Sequence, residues 1–381
     1  MPPESGVPYL ATGTATYGMY LGTLLLQGAV ALWIVLAVRR HGGAALCLAT
    51  ALVLLLYLRA LDPQLLRFPW NPLATMLPMT LLVVLCARAA AGSVPALAGA
   101  LVTASFLAQT HVSTAPVALA VLAAATVALL LRTGLPWRHL PASRTGRALT
   151  LAALAALVAM WVPPVVDELT GHPGNLTELV RFFRCGCNPP HPLHEALSVA
   201  AQMLAGLVHG NLPVGAGVDP ALGRRRLVVL GAFVAASVAL AAAGRLRGDR
   251  FAEAVGGLLV VALVVAVASF TRIAGPIEGY LVVWVTAFAA VLGIGWASLL
   301  AGALPALGAR LAPRPRVGAT AAIAVPVAVA LCVLSVVRTH SEYRSTGHEA
   351  VHLVLAEAPD ATGVAGERLG QAGKALLFLQ R

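Results

Sequence analysis

Charge is what this sequence has least of. Only 11% of its residues are Asp, Glu, Lys or Arg, against 59% hydrophobic ones, and the mean hydropathy is +0.86. Soluble domains carry about 25% charged residues, so this chain cannot clothe a water-facing surface of ordinary size. Lysine is almost missing: Lys374 stands alone among 26 basic residues, a codon-usage trait from which no function is read. Five cysteines give no paired disulfide framework. Cys47, Cys86 and Cys332 fall in apolar runs, where thiols pack as small hydrophobes. Alternating apolar and polar residues are also absent, which argues against a transmembrane β-barrel. Residues 1–16 contain Glu4 and no Lys or Arg, unlike a secretory leader.

What remains is a series of continuous Ala-, Leu- and Val-rich runs of a length that crosses about 30 Å of hydrocarbon as a helix. The expected fold is all-α: a polytopic integral membrane helix bundle of about ten spans. They are placed at 18–38, 44–60, 73–88, 94–109, 112–131, 147–166, 226–244, 252–271, 279–303 and 317–337. Residues 1–340 form one membrane domain with a long loop at 167–225, and 341–381 a short tail. Segment 195–209, with Glu195 and Gln202, reads as an interfacial helix rather than a span.

The net charge of +11 does not imply a nucleic-acid partner, because the arginines sit in short loops as topology signals. Arg39, Arg40, Arg88, Arg132, Arg138, Arg144, Arg245, Arg247, Arg250, Arg310, Arg314 and Arg316 fall in alternate loops. This places those loops in the cytoplasm and both termini outside the cell membrane. The outer side then collects Asp62, Trp70, Asn71, Gln109, His111, Asp167, Glu168, Asn175, Arg181, Arg184, Arg272 and Glu278.

Each of these has two readings. Asp167 and Glu168 follow Pro163–Pro164, expected to end a helix, so they are either a general base or metal ligand, or a helix cap. Gln109 and His111 occupy a tight turn, as packing or as a phosphate or sugar contact. Asn71 is a hydroxyl ligand or a cap. Arg181 and Arg184, three apart, share a helical face suited to a lipid phosphate or to anionic headgroups, and Arg272 has the same two readings. Cys185, Cys187, His191 and His194 lie in CGCNPPHPLH, but C-x-C is tighter than ordinary zinc spacing, so no metal site is assigned.

Four stretches together carry a resemblance: RFPWNPLATMLPMTLLVVLCA (67–87), ALVTASFLAQTHVSTAPVALAVLA (100–123), VPPVVDELTGHPGNLTELVRFF (162–183) and IAGPIEGYLVVWVTAFAAVLGIGWASL (273–299). The chain resembles polytopic glycosyltransferases of the C superfamily (GT-C) over roughly residues 18–340. It is most similar to actinobacterial membrane proteins related to protein mannosyltransferases and polyprenyl-phosphate-sugar transferases. The resemblance implies transfer of a sugar from a polyprenyl-phosphate donor to an envelope glycan or protein acceptor on the outer face. Asp167 and Glu168 would be catalytic, while Asn71, Gln109, His111, Arg181, Arg184 and Arg272 would bind substrate. Cations or a divalent metal would stabilise the departing phosphate. Such proteins open with a further helix and an acidic outer loop that this chain is expected to lack, which leaves catalytic competence open. A transporter or flippase of lipid-linked intermediates, or a non-catalytic scaffold, are the alternatives.

Overall fold

The structure is a computed structural model, and it describes residues 16–303 apart from 62–67, 135–143, 185–188, 210–211, 213–217 and 222. The expected tenth span, the tail, Cys185 and Cys187 lie outside the described residues. The chain divides into two compact units, Met1–Leu26 with Arg314–Arg381, and Gln27–Pro313. Of the first, the described part is the opening of helix α1, where the Thr23 hydroxyl donates to the Met19 carbonyl at 3.1 Å. Everything below concerns the second unit.

The described residues are helical and contain no strand. Their long helices are α1 (Thr16–Ala60), α3 (Met76–Ala90), α4 (Val94–Thr110), α5 (Ala115–Thr133), α6 (Arg144–Thr170), α8 (Leu193–His209), α9 (Arg224–Arg247), α10 (Arg250–Phe270) and α12 (Ala287–Ala303). Short helices α2 (Asn71–Ala74), α7 (Asn175–Arg184) and α11 (Gly279–Val282) accompany them. Eight segments are long and apolar enough to cross a membrane, and Val94–Thr110 is a shorter apolar helix.

The first two segments, Gly18–Arg39 and His41–Ala60, are the arms of α1. Its path breaks at Gly42–Gly43, where Gly43 has φ 63° and ψ −152°, a region that side chains with a Cβ avoid. The break folds the chain back, so that Cys47 Sγ reaches the Val35 carbonyl at 3.4 Å.

Helix α3 is enclosed. All its residues but Arg88 are buried, and α4, α5, α10 and α12 pack around it. A helix that is apolar on every side needs such a setting. Helix α6 is the opposite: only 6% of its apolar window is buried, leaving Leu149, Leu151, Val158, Trp161, Val165 and Leu169 open to the surrounding lipid. Lipid tails are as apolar as leucine, so helix association here rests on close packing of small residues. Helices α9 and α10 show it: a Cβ on Gly256 would strike the Ser237 carbonyl and the Ala241 amide.

One expectation is corrected. Pro163 and Pro164 do not end their helix; α6 runs through them to Thr170. Proline costs a helix the bond to residue i−4, yet the apolar run continues to Val166 and later amides find acceptors, so the helix carries on. Segment 195–209 falls within helix α8, which is not among the segments long and apolar enough to cross a membrane, as expected. Within α8, Ala196, Ser198, Val199, Ala200 and Met203 are fully buried against α9, α10 and the turn Val283–Thr286.

Apart from α8, which begins at the same end as α9, successive long helices alternate in direction, which contacts at the two ends establish. At one end meet His41, Arg132, Arg245, Asp249, Glu253 and Ser298. At the other meet residues 70, 113, 191, 218 and 271–284.

Candidate functional site

The predicted site residues fall at this second end, in two groups. The first is built by the turn from α6 to α7. Asp167 and Glu168 stand in the last turn of α6, each half-buried. Asp167 Oδ2 accepts the Asn175 amide at 2.9 Å. Glu168 Oε2 accepts the amides of Leu176 and Thr177 at 3.0 and 3.1 Å, and its Oε1 takes the Thr177 hydroxyl. The first-turn amides of α7 have no partners within the helix, and these two carboxylates satisfy three of them while opposing the positive end of the dipole. Gly174 makes the turn possible, because a Cβ there would collide with the Glu168 backbone and carboxylate.

The fold-back leaves an open groove of about 730 Å³ lined by Glu168, Leu176, Thr177, Val180, Arg181 and Arg184. Arg181 Nη1 donates to Glu178 Oε1 at 2.9 Å, and both arginines are exposed. One carboxylate and two guanidinium groups therefore share a groove with apolar Leu176 and Val180. That combination suits a phosphate joined to a hydrocarbon chain.

The second group surrounds Leu281. Its carbonyl accepts the Ser113 hydroxyl at 2.7 Å and the Trp284 indole N–H at 3.0 Å, and that indole also donates to Ser113 Oγ at 3.0 Å. His111 lies beside the same carbonyl. Burial pushes its pKa down, with the Leu281 carbonyl pulling the other way. His111 Nε2 is buried without a hydrogen-bond partner, an atom that asks for a ligand or water. Trp70 packs on Tyr280 with ring centroids 4.7 Å apart and planes tilted by 40°, which brings Asn71 to the same neighbourhood. Asn71 is the first residue of α2 and not its cap, a place held by Trp70.

The bonds that define one group do not reach the other. Gln109 is exposed and turns to Ser105 Oγ at 3.0 Å, and Arg272 is exposed after α10. His191 gives Nδ1 to Glu195 at 3.0 Å and Nε2 to the Gly275 carbonyl at 2.8 Å, so it pins two loops. Among the described residues no group of three or more His, Cys, Asp or Glu could hold a metal ion.

Sequence reasoning passed over the opposite end, read as short basic loops with little else. There Asp249 caps α10, accepting the Phe251 and Ala252 amides at 3.1 and 3.0 Å. It also bonds His41 Nε2 at 2.9 Å and the Ser298 hydroxyl at 2.6 Å. Partial burial pulls the Asp249 pKa upward, but the bonds from His41, Ser298 and Ala252 outweigh it and bring it down to about 2. Glu253 pairs with Arg132 at 3.1 Å and Arg245 at 3.7 Å. The only sequence signal was an acid directly before an apolar run, which marks a cap.

Taken together, these features define a polytopic helical membrane protein with a polar groove beside a lipid-facing helix. Compared with models of protein families, with curated proteins and with solved structures, the chain finds no match.

Proposed function

We propose that this protein is a GT-C-like membrane glycosyltransferase that takes a sugar from a polyprenyl-phosphate donor at the extracytoplasmic face. The reading rests on one observation: the α6–α7 groove sets Arg181 and Arg184 beside a carboxylate, next to a helix bathed in lipid. A lipid-linked donor cannot leave the bilayer, so its phosphate must be met at such a boundary. Arginine-rich loops at the opposite end, with Arg39, Arg88, Arg132, Arg245 and Arg247, orient that end toward the cytoplasm and the termini outward.

In this scheme Arg181 and Arg184 hold the phosphate, and Leu176 and Val180 border the isoprenoid. The acceptor hydroxyl oxygen attacks the anomeric carbon while the carbon–oxygen bond to phosphate breaks. Asp167, the neighbour of groove-lining Glu168, takes the hydroxyl proton, and polyprenyl phosphate leaves with its charge met by the arginines. Glu168, already receiving three donors, is a weak base and serves to fix α7. His111 Nε2, buried in the separate group around Leu281 and outside the groove lining, is the partner assigned to a sugar hydroxyl.

The test uses the full chain in nanodiscs with a panel of radiolabelled polyprenyl-phosphate sugars and an envelope acceptor fraction. Label should move to acceptor, and Arg181→Ala/Arg184→Ala should weaken polyprenyl-phosphate binding about 10- to 100-fold, the loss of two charge-assisted bonds. Equal binding by wild type and double variant, with no sugar moved from any donor, overturns the reading.

A transporter or flippase is the second reading, favoured by two interrupted helices. The path breaks at Thr75 between α2 and α3 and at Val283–Thr286 between α11 and α12, and these breaks pack together. Buried polar groups gather there: Tyr57 Oη meets Thr286 Oγ1 at 2.8 Å, and Gln27 Nε2 donates to the Leu73 carbonyl at 3.2 Å. Interrupted helices mark substrate sites in many transporters. Scrambling of a fluorescent polyprenyl-phosphate sugar across proteoliposomes, with no transfer to acceptor, would favour it.

A further inference from the structure

We propose that α7 is a membrane-docking helix that lies along the bilayer interface, its apolar face in lipid and its arginines among anionic headgroup phosphates. The proposal shares Arg181 and Arg184 with the transferase reading, with headgroup phosphates on them while no polyprenyl-phosphate donor is bound; the labels at 179 and 183, outside the groove lining, test the docking whether or not sugar is transferred.

Three observations carry it. No residue of α7 is buried in the bundle, and Leu179, Val180, Phe182 and Phe183 are 38–56% exposed. At 100° per residue, Leu176, Leu179, Val180 and Phe183 fall on one side with Phe182 at its edge. Thr177, Glu178, Arg181 and Arg184 fall on the other. Two phenylalanines in edge contact, with centroids 5.3 Å apart, would be a costly surface to leave in water.

The second observation is depth. Helix α6 is almost wholly uncovered by protein along its apolar length, as a lipid-facing span would be, and α7 begins after only four intervening residues, which in this proposal puts it where hydrocarbon gives way to headgroups. The turn is held there by Asp167 and Glu168 on the amides of α7. The medium already bathing α6 is thus the medium adjacent to the apolar face of α7.

Charge is the third. Arg181 and Arg184 lie in the last turn, with Glu178 the one acid of the helix. Glu178 is engaged with Arg181, so the helix keeps a net positive charge. A short amphipathic helix with aromatic residues on one side and arginines on the other binds interfaces that contain anionic lipid.

Nitroxide accessibility in proteoliposomes of the full chain tests this. The five cysteines are replaced, and single cysteines are placed by Leu179→Cys, Phe183→Cys, Glu178→Cys and Arg181→Cys in separate chains. Labels at 179 and 183 should be reached by oxygen and shielded from a nickel chelate, and labels at 178 and 181 the reverse. Four labels open to nickel would put α7 in water, and four closed to both reagents would put it against protein; either result overturns the proposal.

For the headgroups, vesicles of phosphatidylcholine alone are compared with phosphatidylcholine containing phosphatidylglycerol. The 178 label should lose nickel accessibility in the second, and Arg181→Ala/Arg184→Ala should remove that loss. Identical accessibility in both vesicles overturns the headgroup assignment. Should the cysteine-free chain not fold, Phe183→Trp in the native background serves instead. Brominated lipid should quench its added emission, and unquenched added emission overturns the docking.

Discussion

Replacing Asp249 by alanine should loosen the end of the bundle opposite the groove, by an amount that the structure allows us to work out. The carboxylate caps α10 and binds both His41 and Ser298, so one side chain ties α10 to the α1 turn and to α12. The fall of its pKa from an ordinary 3.8 to about 2 corresponds to at most about 2.4 kcal/mol. His41 is 31% exposed, and screening by water reduces that to about 1.5 kcal/mol. The sign follows from the depressed pKa. This stability is present in full above about pH 4 and is lost as pH falls through about 2. Intrinsic fluorescence during heating in detergent is the assay. At pH 7 Asp249→Ala should melt about 3 °C lower, taking about 2 °C per kcal/mol for a chain of this size. The gap should hold from pH 7 to 5 and narrow below 4. Melting within about 1 °C of wild type at pH 7, or a gap that widens in acid, refutes the argument.

Asp167→Asn, Arg181→Ala and His111→Ala should each lower sugar transfer while leaving the amount of folded protein in the membrane unchanged; unaltered transfer in all three would remove the site assignment. Glu168→Ala withdraws the acceptor of two α7 amides and of the Thr177 hydroxyl, so limited proteolysis of proteoliposomes should cut residues 171–184 faster than in wild type. Gly256→Val forces a side chain against the backbone of α9 and should cost about 3 kcal/mol or more, seen as loss of a monodisperse peak in size-exclusion chromatography.

Much of the fold was legible because it rests on length and hydropathy. Nine of the ten expected spans coincide with described helices, and even the double arm of α1 was readable from Arg39–Gly43, a polar and glycine break between apolar runs. The site was legible in location and less so in role. Asp167 and Glu168 were recognisable as acids at a helix end, with base and cap both open. Their partners lie eight or nine residues downstream, beyond a turn whose geometry depends on Gly174 fitting against Glu168. Pro163–Pro164 misled, since a local rule about proline gave way to a longer apolar run. The His41–Asp249 bond joins residues 208 positions apart, and no local pattern announces such a pair.

The contrast between α3 and α6 bears on how the gene can vary. A residue of α3 touches protein in every direction, so shape limits it: a methyl group added or removed there must be matched by a neighbour. A residue of α6 touches mostly lipid, which accommodates any apolar outline. Substitution tolerance should therefore divide along the chain by the solvent each helix sees. Helix α3 would refuse changes of volume, whereas α6 would refuse chiefly changes of polarity. Two stretches of similar hydrophobicity would then record quite different histories of selection.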